Sequence, residues 1–220
     1  MNKLPIGIQT FREIREEGYC YVDKTPLVAR LADEGKYYFL ARPRRFGKSL
    51  LVSTLAAAFA GERELFAGLY LEHRWDWNRC SPVLVLDFGE GILDSRERLN
   101  QRTRRILDIQ AEAQGITLGQ AEASDRMEEL ILALHAATGE RVVVLVDEYD
   151  KPILDHLHQP ERALELREGL RNLYSVLKSQ DARLRFVLLT GVSKFSKVSL
   201  FSGLNNLEDL TLDERCATIC

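Results

Sequence analysis

Apolar residues along the 220-residue chain fall into two patterns, short uninterrupted runs and longer stretches with helical spacing, and the two alternate. Four runs read as strands: Lys36–Ala41 (KYYFLA), Pro82–Phe88 (PVLVLDF), Arg141–Asp147 (RVVVLVD) and Arg185–Gly191 (RFVLLTG). Three of these are continuously apolar rather than alternating, as strands covered on both faces must be. Glu208–Leu212 (EDLTL) is a fifth, short candidate. Helical patterns cover Lys48–Ala60, Ser95–Gln114, Ser124–Thr138 and Glu161–Gln180, with Ser95 placed to cap and Gly115 and Gly139 placed to stop. Residues 1–35 predict an arm with a short helix from Lys24 or Thr25 to Glu34, packed on a core of residues 36–220. Strands alternating with helices predict a three-layer α/β/α fold around a mostly parallel, five-stranded sheet.

Composition narrows the classes of function. With 45% hydrophobic and 29% charged residues the chain can bury a large core, and its formal net charge of −3 provides no global attraction to nucleic acid or an anionic membrane. No run approaches the ~20 apolar residues of a membrane span, and the start lacks the apolar core of a secretory signal, so a cytoplasmic protein is expected. Cys20, Cys80, Cys216 and Cys220 are too scattered for a disulfide framework. A clip of Cys216 and Cys220 with His156 and His158 is a weak metal candidate, since His-Leu-His on a polar segment reads as a solvated turn.

The chemistry concentrates after two of the strands. Phe39–Leu51 (FLARPRRFGKSLL) is a strand, a basic loop and a helix opening on Gly47-Lys48-Ser49, the arrangement in which backbone N–H groups and a lysine cradle phosphates. Arg44, Arg45, Phe46, Gly47, Lys48, Ser49 and Leu50 are the candidate nucleotide-binding residues, Lys48 for the β and γ oxygens and Ser49 as a Mg²⁺ ligand. Arg42 stands where such loops commonly have a glycine. Because it precedes Pro43 it is driven toward extended geometry, so proline stiffens the turn that glycine would otherwise make. Its side chain either faces away from the phosphates or reaches them.

The strand Arg141–Asp147 ends in Asp147-Glu148, which puts two carboxylates where open α/β sheets bind ligands. Asp147 is the candidate second Mg²⁺ ligand and Glu148 the candidate base for an attacking water; the alternative is that Asp147 caps the following helix and Glu148, Asp150 and Asp155 are solvated. The 99 residues from Lys48 to Asp147 leave room for an intervening strand, and Pro82–Phe88 is expected to be the added central strand of NTPases that pair a catalytic glutamate with the Mg²⁺ aspartate. Thr190 or Ser193, where the fourth strand ends, is placed to touch the γ-phosphate or the lytic water; the alternative is a plain Thr-Gly turn.

On Ile6–Thr25, the R-P-R-R-F-G-K-S loop, VLVDEYDKP and Leu188–Thr211, the chain resembles the bacterial and archaeal AAA-ATPase-like family of P-loop NTPases. The resemblance implies ATP and Mg²⁺ as cofactors, ATP hydrolysis, and tolerance of Arg42 in place of glycine. It also implies a nuclease-like C-terminal effector domain, which this chain does not reach, and the lid that follows the fifth strand is not evident either. Competing readings are a nucleotide switch that hardly hydrolyses and a nucleic-acid-binding module built on the basic loop and the arginine-rich Ser95–Asp108 helix; Glu148 favours hydrolysis over the first.

Overall fold

A computed structural model describes residues 3–194, 200 and 207–219. Five strands, β1 (Tyr37–Ala41), β2 (Val83–Asp87), β3 (Val142–Asp147), β4 (Leu184–Gly191) and β5 (Glu208–Asp209), form one all-parallel sheet in the order β2-β3-β4-β1-β5. Seven α-helices cover it among the described residues: α1 (Phe11–Glu16), α2 (Thr25–Glu34), α3 (Lys48–Phe59), α4 (Arg96–Glu112), α5 (Ala123–Thr138), α6 (Lys151–Leu154) and α7 (Pro160–Ser179).

The uninterrupted apolar runs now have their reason. In β3, Val142, Val144 and Val146 pack under α4, α5 and α7, while Val143 and Leu145 face α2, α3 and the aromatic cluster of Phe59 and Phe186. Side chains alternate between faces and both faces are covered, so every position must be apolar. Ser95 caps α4 by accepting from Arg98 N at 3.2 Å, and Gly139 ends α5 at φ 72°. The Glu208–Leu212 candidate is a two-residue strand followed by a 3₁₀ turn at Leu210–Leu212.

One expectation about the sheet is overturned. The strand lying between the β1 that leads into the basic loop and the β3 that carries Asp147 is β4, and Val83–Asp87 sits at the sheet edge. Chain order does not set spatial order when each strand joins the next by a helical crossover that can step over a neighbour. The outer edge of β2 is blunted instead: the Gln110 amide accepts from Val85 N at 2.8 Å and donates to Val85 O at 2.9 Å.

The arm holds more structure than its sequence suggested. Phe11 of α1 is fully buried against Tyr21 and Phe66, and its N–H donates to Ser53 of α3 at 2.9 Å. Arg15 donates to Leu65 O at 2.7 Å and Ala67 O at 2.5 Å. Within the Tyr21–Thr25 stretch, Asp23 accepts from Thr25 N (2.8 Å), Thr25 Oγ1 (2.6 Å) and Tyr70 N (2.8 Å), tying the start of α2 to the 3₁₀ turn Tyr70–His73. Replacing Asp23 by Ala leaves three donors without this acceptor, and chemical denaturation is expected to show a loss of about 1–2 kcal/mol. An unchanged midpoint would show that water replaces the carboxylate at no cost.

Candidate functional site

The loop after β1 has two residues with left-handed backbone, Arg45 (φ 67°) and Gly47 (φ 78°), and Arg42 is not one of them. The missing glycine is therefore no backbone problem; the strain sits three residues later, at Arg45. Arg42 N–H donates to Gly191 O at 3.1 Å, and its guanidinium donates to Thr211 O and, at 3.5 Å, to Cys216 O. Of the two readings of Arg42, the geometry supports the one in which the side chain faces away from the phosphates.

Gly47 opens the 12-residue α3, and no side chain caps that end. The N–H groups of the first turn are thus left for a ligand, at the positive end of the helix dipole. Lys48, the first residue of α3, is 5% exposed; its ammonium donates to Arg42 O at 3.0 Å and Pro43 O at 3.1 Å. Among the described residues no carboxylate lies within 4.0 Å of it. A buried cation held only by carbonyls is the counterpart of an anion.

Opposite the loop, the ends of β2 and β3 bring acids together, with Asp87 and Asp147 in register. Asp147 is 4% exposed, and its Oδ1 accepts from both Thr190 Oγ1 and Glu148 N, the latter at 3.0 Å. Its Oδ2 accepts no hydrogen bond among the described residues. Glu148 turns the chain at φ 51°, a left-handed conformation costing about 1–2 kcal/mol for a residue with a Cβ. Burial, then the charges of Asp147 and Asp87, push its carboxyl above the ordinary carboxylate range, against the pull of Lys48 and Arg44. Asp87 is raised too, chiefly by burial, although it accepts from Gly89 N at 2.7 Å.

The next two residues lock this turn to β4. Tyr149 is buried against Phe39, its N–H donates to Thr190 O at 3.0 Å and its hydroxyl to Ser193 O at 2.7 Å. Asp150, which the sequence suggests is solvated, is fully buried and accepts from Val192 N, Ser193 N (2.7 Å) and Ser193 Oγ (3.0 Å). A Cβ on Gly191 would collide with the Tyr149 ring and the Asp150 carboxylate, which is why glycine follows Thr190. Thr190 itself is fully buried with its hydroxyl committed to Asp147. Its place is thus behind the acid.

A cavity of about 680 Å³ lies between the loop and Glu148, and Asp147 is set back from its lining. Arg44, Arg45, Gly47, Lys48, Ser49 and Leu50 line one side and Glu148 another, while Phe46, 51% exposed, is not in the lining. The arm supplies the remaining wall through Pro5, Ile6, Gly7, Ile8 and Gln9, residues without any phosphate-site signature in the sequence. His156 is buried, with Nε2 2.9 Å from Leu93 O, so the solvated turn expected there is a core histidine; Cys220 lies outside the described residues, as does much of Leu188–Thr211. Of the arginines on α4, Arg98 pairs with Asp94 (3.2 Å), Arg102 with Glu90 (3.5 Å), and Arg104 donates to Ala121 O (3.0 Å). No helix of the described residues is long and apolar enough to cross a membrane.

A strand, a loop and a helix opening on Gly47-Lys48-Ser49, a strand separating them from Asp147-Glu148, and helices on both faces make the fold that of a P-loop NTPase with an additional central strand. The chain belongs to the family described as predicted AAA-ATPase, whose model matches residues 5–201, and it is an ATP-binding, ATPase-like domain. It is 58% identical over 219 residues to "Uncharacterized protein in vnfD 5'region" of Azotobacter chroococcum mcd 1, covering 99% of this chain and 42% of that protein. A chain of the Drosophila ORC complex bound to AT-rich DNA and Cdc6 superimposes with a TM-score of 0.41 at 14% identity, over 91% of this chain and 28% of that one.

Because the folded-state pKa of Glu148 is raised, its ionised form costs stability at neutral pH, and the cost vanishes where both folded and unfolded states are protonated. Glu148→Gln is expected to raise the melting temperature of the nucleotide-free protein at neutral pH. The gain should shrink as pH falls through the raised pKa toward the ordinary 4.5. A gain independent of pH would assign it to packing instead.

Proposed function

We propose that the chain binds the triphosphate of ATP on the loop 42–49 and hydrolyses it in a Mg²⁺-dependent reaction that controls an effector. The observation that carries the reading is Lys48, a cation 5% exposed whose partners are two loop carbonyls and no carboxylate. The residues also fit a divalent ion. Ser49 is the second residue of α3, and Asp147 keeps Oδ2 unbonded while Thr190 and the Glu148 N–H fix Oδ1. Mg²⁺, when bound, would neutralise charge on the phosphate oxygens.

In this reading each residue has one task. Lys48 and the N–H groups opening α3 hold the phosphates, and Thr190 orients Asp147 as a ligand. Glu148, with a carboxyl already basic for its type, takes the proton of the attacking water. The arm residues Pro5 to Gln9 cover the base, because they form the apolar wall of the same cavity. Control of a nuclease-like effector follows the family resemblance, and the relative's greater length leaves room for such a region. The nucleic-acid reading draws little support from α4, where Arg98 and Arg102 pair with carboxylates and Arg104 bonds a backbone carbonyl.

Saturating Mg·ATP at a hundred times its Kd is expected to stabilise the protein by about 2.7 kcal/mol, read as a rise in Tm. Lys48→Ala should abolish that rise; an undiminished response would remove Lys48 from the site. Glu148→Gln should keep ATP binding while single-turnover hydrolysis falls about 100-fold or more. Equal loss of binding and turnover would make Glu148 a structural residue.

A further inference from the structure

Arg42 is bonded in three directions. Its N–H joins the end of β4 at Gly191 O, its carbonyl accepts from the Lys48 ammonium, and its guanidinium donates to Thr211 O and Cys216 O. The preceding residue repeats the link, since Ala41 N–H donates to Thr211 Oγ1 at 3.0 Å where the two-residue β5 has already ended. We propose that Arg42 is a positioning residue that makes the segment 207–219 a support of the phosphate loop, so that nucleotide binding and docking of that segment are coupled.

The segment is built to dock there. Leu210, Cys216 and Ile219 are each 1% exposed and pack in the same cluster as Leu40 and the apolar faces of α2 and α3. Arg30 of α2 donates to Arg215 O at 2.9 Å and meets Cys216 Sγ at 3.0 Å, and Arg215 pairs with Asp213 at 2.7 Å and Glu208 at 3.3 Å. Lys194, just after β4, reaches Asp209 at 3.2 Å. A glycine at position 42 would leave the loop's entry joined to the segment only through Ala41.

Coupling, beyond support, follows from Lys48. The ammonium that would meet a phosphate also holds the Arg42 and Pro43 carbonyls, so a phosphate drawing on it changes the bonding of the peptide from which the Arg42 side chain springs. A segment that stabilises the loop in its binding geometry is, by reciprocity, stabilised by the ligand to the same extent. The inference rests on the nucleotide reading above.

Hydrogen exchange by mass spectrometry on the whole chain, with and without Mg·ATP, and calorimetric ATP affinity test it together. In the wild type, ATP should slow exchange in 208–217 about fivefold or more. Arg42→Met keeps the aliphatic stem and removes the donors; it should speed exchange there without nucleotide, weaken ATP by the same factor and abolish the protection. Arg42→Lys should recover part of both effects. Thr211→Val, outside the cavity, should move affinity and exchange in the same direction, and it carries the test if Arg42→Met does not fold. Faster exchange with ATP affinity within twofold of wild type would make Arg42 merely structural and overturn the proposal. ATP binding by the wild type with no change in exchange would overturn the coupling alone, whereas no ATP binding at all would overturn the nucleotide reading and the coupling with it.

Discussion

A lysine ammonium taken out of water with only two carbonyl oxygens to hold it is the constraint around which the rest of this domain is arranged. Burying a charge without an opposite charge is unfavourable unless neighbouring dipoles and a ligand compensate. The surroundings of Lys48 supply the dipoles: a left-handed Gly47, an uncapped helix start, and the carbonyls of Arg42 and Pro43. What is left to supply is negative charge, and the cavity in front of it is large enough for a nucleotide.

The acids across the cavity are kept apart from this cation and are held by other means. Asp147 is fixed by Thr190 and by the backbone of Glu148, so it does not collapse onto Lys48. Glu148 is held in left-handed geometry by the two residues after it, because Tyr149 and Asp150 are bonded to the exit of β4 and leave the turn no alternative. Backbone strain here is stabilised by buried hydrogen bonds one and two residues away, and it aims a carboxylate whose proton affinity is raised by burial and by its acidic neighbours.

Both ends of the described chain are tied to the elements that flank the loop, the arm to α3 and the segment after β5 to β1. The arm is pinned to α3 through Phe11 and Ser53, so its Pro5–Gln9 wall moves with the helix that carries Lys48. The segment after β5 is pinned to β1 through Thr211 and Arg42. Loop, arm and segment thus share two rigid supports, β1 and α3, which makes the site one mechanical unit rather than a loop grafted on a sheet.

By itself the sequence determined the layered α/β class and the strands and longer helices to within a few residues, and it pointed to the loop after β1 and to Asp147-Glu148, while α1 and α6 went unread. These are local matters: strand and helix periods, proline's effect on Arg42, and motif chemistry all act over a few positions. Only the tertiary structure decided that β4 rather than β2 lies between the loop strand and the acid strand, since crossovers can step over a neighbour. It also decided that Thr190 stands behind Asp147, that Asp150 is buried, that the arm walls the cavity, and that Arg42 turns to Thr211 and Cys216. Each of these contacts joins residues tens to more than a hundred positions apart, and a pairing at that distance is set by how layers pack, which no local pattern encodes.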